Sequence, residues 1–285
     1  MNRMKRILLG LLAFVVVAGA LVFALAPAAA KQYRLWRDAK AVEDYRNAVD
    51  ALDTLECGTL LARARDYNAG LRRADLWDAF SEADADGDAE SEVLDMDGLG
   101  VIAVLEIPKL GLILPVYRGQ SPEQLDKGVI HLEGSSLPVG GDGAHCVLAG
   151  LADGRLISPM DGLERLMQGD LFTLKTLRDT LTYEVETVET LTPDALASQT
   201  IGGEADTCTL MTAITRDGEE FRLLARAHRV QRRAIPLEDD TQVLPGWAAR
   251  LIFAAPLALA GLLVLALIEW LRRAAGRRRV KKLKL

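Results

Sequence analysis

Residues 205–229, ADTCTLMTAITRDGEEFRLLARAHR, place a cysteine, a histidine and several arginines within two runs of strand-forming residues joined by a polar turn. A thiolate, a proton carrier and a fixed cation are the parts of nucleophilic acyl transfer. The thiolate attacks a carbonyl, the proton carrier serves the leaving amine, and the cation faces the charge that builds on the carbonyl oxygen. Here the parts are misplaced. The end of the first run, where a reactive group would be presented, is Ala213, and the cysteine comes earlier, at Cys208. At about 3.3 Å per residue, Cys208 lies roughly 16 Å back along the strand. The odd offset also turns its side chain to the other face. The remaining thiols and imidazoles are Cys57, Cys146, His131, His145 and His228.

The elements that must position these groups follow from periodicity. Residues 31–80 are rich in Ala, Leu, Arg and Asp, and Leu52, Leu55, Leu60, Leu61 and Ala64 recur at helical spacing. Residues 81–98 are acidic and poor in large apolar groups, and read as a loop. Within it, Glu82, Asp84, Asp86 and Gly87 fall where a calcium loop needs them, but the twelfth position, a bidentate Glu in such loops, is Val93. A solvated acidic loop is the better reading, and neither metal nor cofactor is expected.

From Val101 the period changes. VIAVLEIPKLGLILPVYRG alternates and is punctuated by Pro108, Gly111 and Pro115. HCVLAG (145–150), LFTLKTL (171–177), TLTYEVETVETL (180–191), CTLMTAI (208–214) and EFRLLARAHRVQ (220–231) read as further strands, and 157–170 as a short helix ending at Gly169. The expected fold class is mainly β, a barrel or sandwich with few helices.

The motifs E-I-P-K, P-V-Y-R-G, K-G-V-I-H-L-E-G-S-S-L-P-V-G-G, L-x-x-L-x-x-G-D, T-L-M-T and R-L-L-A-R-A-H-R resemble, in order and spacing, those of the sortases, most closely the class C, pilin-polymerising type. The resemblance covers about residues 60–230. It implies an eight-stranded β-barrel and a membrane-anchored cysteine transpeptidase that cleaves the Thr–Gly bond of an LPXTG-like sorting signal. An amine, often a pilin lysine, then resolves the acyl-enzyme. It also implies three catalytic positions. The family's nucleophile ends T-L-x-T-C, and here that position is Ala213. The arginine that opens R-L-L is Arg222, at the family's spacing. The histidine of the family's G-H-R-G-L-P turn is replaced by Leu151. The turn after the nucleophile, T-P-Y-G-I-N-T-H in the family, is I-T-R-D-G-E-E-F here (214–221). Both turns differ along with both side chains, which reads as divergence with loss of catalysis. The alternatives are an active sortase using displaced residues and a purely structural membrane-anchored domain.

Two more expectations come from the resemblance. The family's lid carries an Asp-Pro-aromatic anchor, and Asp75-Leu76-Trp77 is the candidate here, with Asp75 offsetting Arg222 and Trp77 beside Ala213. The competing reading is an ordinary helix end. The strands that end at the His and Cys positions are parallel neighbours in the family barrel. Cys146 and Cys208 have equal offsets from those ends, so they are candidates for proximity and for a disulfide, with two buried free thiols as the alternative. The implied partners are sorting-signal peptides, pilins or other surface proteins, or an active sortase, in a Gram-positive-type bacterium.

Two segments read as membrane spans. Residues 7–26 are uncharged and follow Arg3, Lys5 and Arg6. Their APAAA end fits a cleavage site, but the apolar run is long for a signal core, which favours an anchor. Residues 251–268 are also apolar, and the tail at 272–285 carries eight Lys/Arg and no acid, which favours both termini on the cytoplasmic side. A nucleic-acid patch is the weaker reading of that tail. Without these eleven basic residues the formal −6 becomes −17, from 23 Lys/Arg against 40 Asp/Glu, so nucleic acid is not an expected partner. Three cysteines in an oxidising compartment form at most one internal pair. The chain divides into a cytoplasmic N-terminus (1–6), an anchor or signal (7–26), a helical region with lid and acidic loop (27–98), the barrel (99–232), a linker (233–250), a transmembrane helix (251–271) and the basic tail (272–285).

Overall fold

The computed structural model describes residues 3–231 apart from 72–73, 77, 81–92, 95, 97, 99, 120–121 and 153–157. Side chains of most residues before Pro27 also lie outside the description. Among the described residues no helix is long and apolar enough to cross a membrane. The stretch at 251–271 lies outside the described residues, as do most side chains of 7–26 and residues 82–92 of the acidic loop.

One compact unit spans Arg37–Gln242. It contains the end of helix α1 (Arg3–Ala51) and all of helix α2 (Thr54–Gly70). Asp53 caps α2. Its carboxylate accepts from the Glu56 amide at 2.7 Å, and the Glu56 side chain accepts from the Asp53 amide at 3.0 Å. This reciprocal box satisfies two otherwise orphaned donors and sets where the second helix starts. Val42, Tyr45 and Val49 lie one above the other on α1 and are buried in the main core, together with Cys57 and Ala64 of α2. Leu52, Leu60 and Leu61 pack against that core as their spacing predicts. Leu55 does not; it is 78% exposed.

The strands are β1 (Ala74–Asp75), β2 (Val101–Ile107), β3 (Leu112–Tyr117), β4 (Val129–His131), β5 (His145–Ala149), β6 (Leu171–Thr176), β7 (Asp179–Leu191), β8 (Thr200–Ile201), β9 (Thr207–Arg216) and β10 (Glu219–Val230). Eight of them close a barrel in the order β10-β7-β6-β2-β3-β4-β5-β9, and β1 pairs with β8 as a separate ribbon. The β3–β4 and β5–β9 pairs are parallel, and the other barrel pairs are antiparallel. The barrel expectation is met. Every residue of β2 is buried, so its two faces show no contrast in exposure.

The helix expected over 157–170 is corrected. Residues 153–157 lie outside the description, and the rest holds only a one-turn 3-10 helix, Leu163–Arg165. Gly162 before it has φ 88, a left-handed conformation that does not propagate a right-handed helix. Short helices at Pro122–Lys127 (α3) and Pro193–Leu196 (α4) complete the fold.

The Tyr45 phenol ties α1 to the barrel. The Tyr45 hydroxyl donates to the Ile102 carbonyl at 3.0 Å and accepts from the Leu177 amide at 2.8 Å. Burial raises its pKa to about 12. Tyr45→Phe keeps the ring and strands both buried backbone groups. The expected loss is about 2 kcal/mol in chemical denaturation, and a loss under about 0.5 kcal/mol would refute the assignment.

Candidate active site

The β9–β10 hairpin sets the first part of the site. Ala213 on β9 stands directly opposite Arg222 on β10, which on its other side is in register with Leu191 of β7. The ladder continues past Ala213 through Ile214–Phe221, Thr215–Glu220 and Arg216–Glu219. It closes at Asp217 (φ 54) and Gly218 (φ 85). Two consecutive positive φ values make the kind of two-residue turn that matches strand twist, and Asp-Gly is a pair that tolerates it. The first strand therefore does not stop at Ile214, as the run of 208–214 suggests; it extends to Arg216.

Arg222 is 3% exposed. Its Nε lies 2.8 and 3.0 Å from the two Asp78 carboxylate oxygens, and its Nη2 lies 2.8 Å from Asp78 Oδ2. Glu220 Oε2 adds a weaker contact at 3.4 Å, and the Phe80 ring lies 5.4 Å from the guanidinium carbon. Burial works against the charge, but the hydrogen bonds and charge of Asp78 outweigh it, and the pKa is held above its ordinary value. A forked, charge-assisted contact of this kind is strong and directional.

The sequence candidate for that carboxylate, Asp75, is corrected. Asp75 is exposed on β1 and pairs with Thr200 of β8. Trp77 lies outside the described residues. The groups that reach Arg222 are Asp78 and Phe80, three positions further on. RRADLWDAF contains two Asp-x-aromatic triplets in tandem, Asp75-Leu76-Trp77 and Asp78-Ala79-Phe80. The second triplet was the missed signal, and Glu220 had none.

The segment that carries Asp78 is held from both sides. Ala74 and Asp75 pair with Ile201 and Thr200, and the Leu76 amide donates to the Gln199 carbonyl at 2.7 Å. Leu76 and Ala79 are buried in a second apolar cluster with Ile130, Leu132, Val147, Ala149, Met211 and Leu224. Alternation along β9 and β10 puts Ala213 and Arg222 on the same side as Met211 and Leu224. Leu151 follows β5 and packs on this cluster, as does Phe80. The Gly150 amide donates to the Met211 carbonyl at 3.1 Å, which ties the turn before Leu151 to β9.

The other thiols and imidazoles lie elsewhere. Cys208 and Cys146 face the main core and are in register across the parallel β5–β9 pair. The expected proximity is present, and all three cysteines are in the free-thiol state in this structure. Burial raises the Cys208 thiol well above its ordinary pKa, and the Cys146 thiol adds to this. That is the opposite of nucleophile activation. His131 Nε2 donates to the Ser136 carbonyl at 3.0 Å. His145 Nδ1 accepts from the Gly202 amide at 3.1 Å, which leaves the proton on Nε2, 2.8 Å from Thr209 Oγ1. Both rings are buried and hold turns in place. His228 lies 2.9 Å from Glu186 on the outside of β10.

Comparison with known proteins agrees with this geometry. A family profile described as the sortase domain matches residues 105–230. No curated protein gives a significant match. Among solved structures, sortase C of Streptococcus pneumoniae is 28% identical, with a TM-score of 0.63 over 69% of this chain and 100% of that one. The pilus-related sortase C of Group B Streptococcus is 30% identical, with a TM-score of 0.60 over 66% of this chain and 96% of that one. Sortase C-1 from Actinomyces oris is 34% identical, with a TM-score of 0.55 over 62% of this chain and 98% of that one. With the sortase profile over residues 105–230 and class C neighbours of 30% and 34% identity matched over 96% and 98% of their length, the chain belongs to the sortase family.

Proposed function

We propose that this chain is a membrane-anchored, class C-like sortase that no longer performs thiol transpeptidation. It serves instead as a peptide-binding or accessory component in surface-protein or pilus assembly. One observation carries the reading: a methyl group, Ala213, stands opposite Arg222 where the family's nucleophile is expected, with leucine at the histidine position. Arg222 is also occupied. Two carboxylates and an aromatic ring hold it, so it is not a free donor awaiting an oxyanion. Displaced catalysis is disfavoured because Cys208 is fully buried and protonated, and both Cys146 and Cys208 face away from Arg222.

In this reading the segment around 74–80 is the lid, anchored by Asp78 and Phe80. Residues 7–26 and 251–271 are the membrane anchors. The basic tail stays in the cytoplasm and the barrel lies on the outer face. Substrate-class partners are sorting-signal peptides, pilins or an active sortase, by analogy with the pilus-related relatives.

The test is to incubate the full chain in detergent with a fluorogenic LPXTG-type peptide. The expected cleavage is no faster than without protein, and intact-mass measurement shows no peptide bound to the chain. A peptide thioester on any cysteine would overturn the proposal. Retention of the same peptide on immobilised chain separates a binding role from a purely structural one.

A further inference from the structure

One pair of thiols, Cys146 and Cys208, has no part in the proposed function. Strands β5 and β9 run parallel and bring Cys146 directly opposite Cys208. Adjacent strands lie about 4.8 Å apart, inside the roughly 4.4–6.8 Å Cα window of disulfides. The two side chains point the same way, into the barrel core, where they are 2% and 0% exposed. Cys57 is on α2, in a different layer. The register leaves each of these two thiols with the other as its in-line neighbour.

We propose that Cys146 and Cys208 form an intramolecular disulfide that staples β5 to β9 inside the barrel, made by exchange with a disulfide donor while the chain folds. The Cys208 thiolate attacks the donor and forms a mixed disulfide, releasing the donor's first thiol. The Cys146 thiolate then attacks Cys208 Sγ, closes the Sγ–Sγ bond and releases the second donor thiol. Two thiols become one disulfide and the donor disulfide becomes two thiols, with the protons passing to the donor sulfurs. Closure requires the Cβ atoms to approach from the strand spacing to about 3.8 Å, a shift the two backbones share.

The burial of the pair dictates the timing. Once the barrel closes, no donor reaches the sulfurs, and burial holds the Cys208 thiol protonated. Oxidation therefore belongs to the interval before β9 docks on β5. The bond spans roughly 60 residues of intervening chain, long enough for a substantial restriction of the unfolded ensemble. It joins the two strands whose ends carry Leu151 and Ala213, so it would fix the floor of the candidate site. The inference stands independently of the transpeptidation reading.

The experiment uses the full chain in detergent, unfolded in guanidinium with a phosphine reductant and refolded in a glutathione redox buffer. Expected on non-reducing peptide mapping is a linked pair of peptides containing Cys146 and Cys208, with Cys57 alkylated. The oxidised chain should melt roughly 5–10 °C above the same chain reduced. The Cys146→Ala/Cys208→Ala variant should show no such difference. A reduced chain that is already folded should stay reduced in the same buffer. Refolded chain with Cys146 and Cys208 both alkylated, or linked through Cys57, overturns the proposal. Equal oxidation of the already folded chain overturns the folding-coupled route.

Discussion

Replacing Asp78 by alanine is expected to free the segment around 74–80 from the barrel while leaving the barrel folded. Asp78 is the main counter-ion of Arg222, whose side chain is 4% exposed against 15% for Asp78. Removing one partner of a buried pair typically costs about 3–5 kcal/mol because the remaining charge is left desolvated. Two features lower that cost here. Glu220 still contacts the guanidinium at 3.4 Å. The overlying segment can also move away and let water reach Arg222, so the penalty is capped by the free energy of opening. Roughly 2–3 kcal/mol of local stability should be lost, which is about 30- to 140-fold faster amide exchange. The amide to watch is Leu76, whose bond to Gln199 is the inner tie of the segment. Asp78→Asn, which keeps an acceptor but not the charge, should fall between. Unchanged exchange at Leu76 in Asp78→Ala would refute the role given to this ion pair.

Acid should destabilise the barrel well before its carboxylates are titrated. His131 and His145 each have a pKa lowered from 6.5 to about 4, chiefly because burial penalises the charged ring. In the unfolded chain both rings take up a proton near pH 6.5, while the folded chain resists until about pH 4. The unfolded state therefore binds more protons across that window. Stability is fully present above pH 6.5, falls as pH falls, and the loss is complete below about 4. Each histidine contributes up to about 3 kcal/mol, from 1.36 kcal/mol per pKa unit.

The hydrogen bonds explain why the neutral rings are kept. Protonating His145 would put a proton on Nδ1, which now accepts from the Gly202 amide. Protonating His131 would add an N–H in a site that already commits Nε2 to Ser136. Denaturation curves between pH 7.5 and 4 should show stability falling steadily, with the slope reduced in His131→Gln and His145→Gln. A flat profile over that range would contradict the buried-neutral assignment.

The strands, the hairpin and the residue types at positions 151, 213 and 222 were legible in the sequence itself. Runs of strand-forming residues punctuated by Gly and Pro located the main barrel strands, because β-branched and aromatic side chains suit a pleated surface while Gly and Pro favour the turns between. A missing nucleophile is a matter of residue identity: no folding of this chain puts a thiol at position 213 or an imidazole at 151. Arg222 could be read from its spacing because β9 and β10 are consecutive strands whose hairpin fixes the register locally.

Other features depended on contacts between distant parts of the chain. Two Asp-x-aromatic triplets sit side by side, and nothing local separates them. The pairing of β1 with β8, more than a hundred residues on, sets the segment so that Asp78 rather than Asp75 reaches Arg222. Leu55 shares the helical spacing of its neighbours but points outward, because the docking of α2 on the barrel decides which arc of the helix is covered. The stretch 157–170 has helical composition and forms one turn, because a left-handed Gly162 interrupts it. Equal offsets of Cys146 and Cys208 along two separate strands acquire meaning only when those strands lie parallel and in register. Local sequence determines which chemistry is present; long-range strand pairing determines which groups meet.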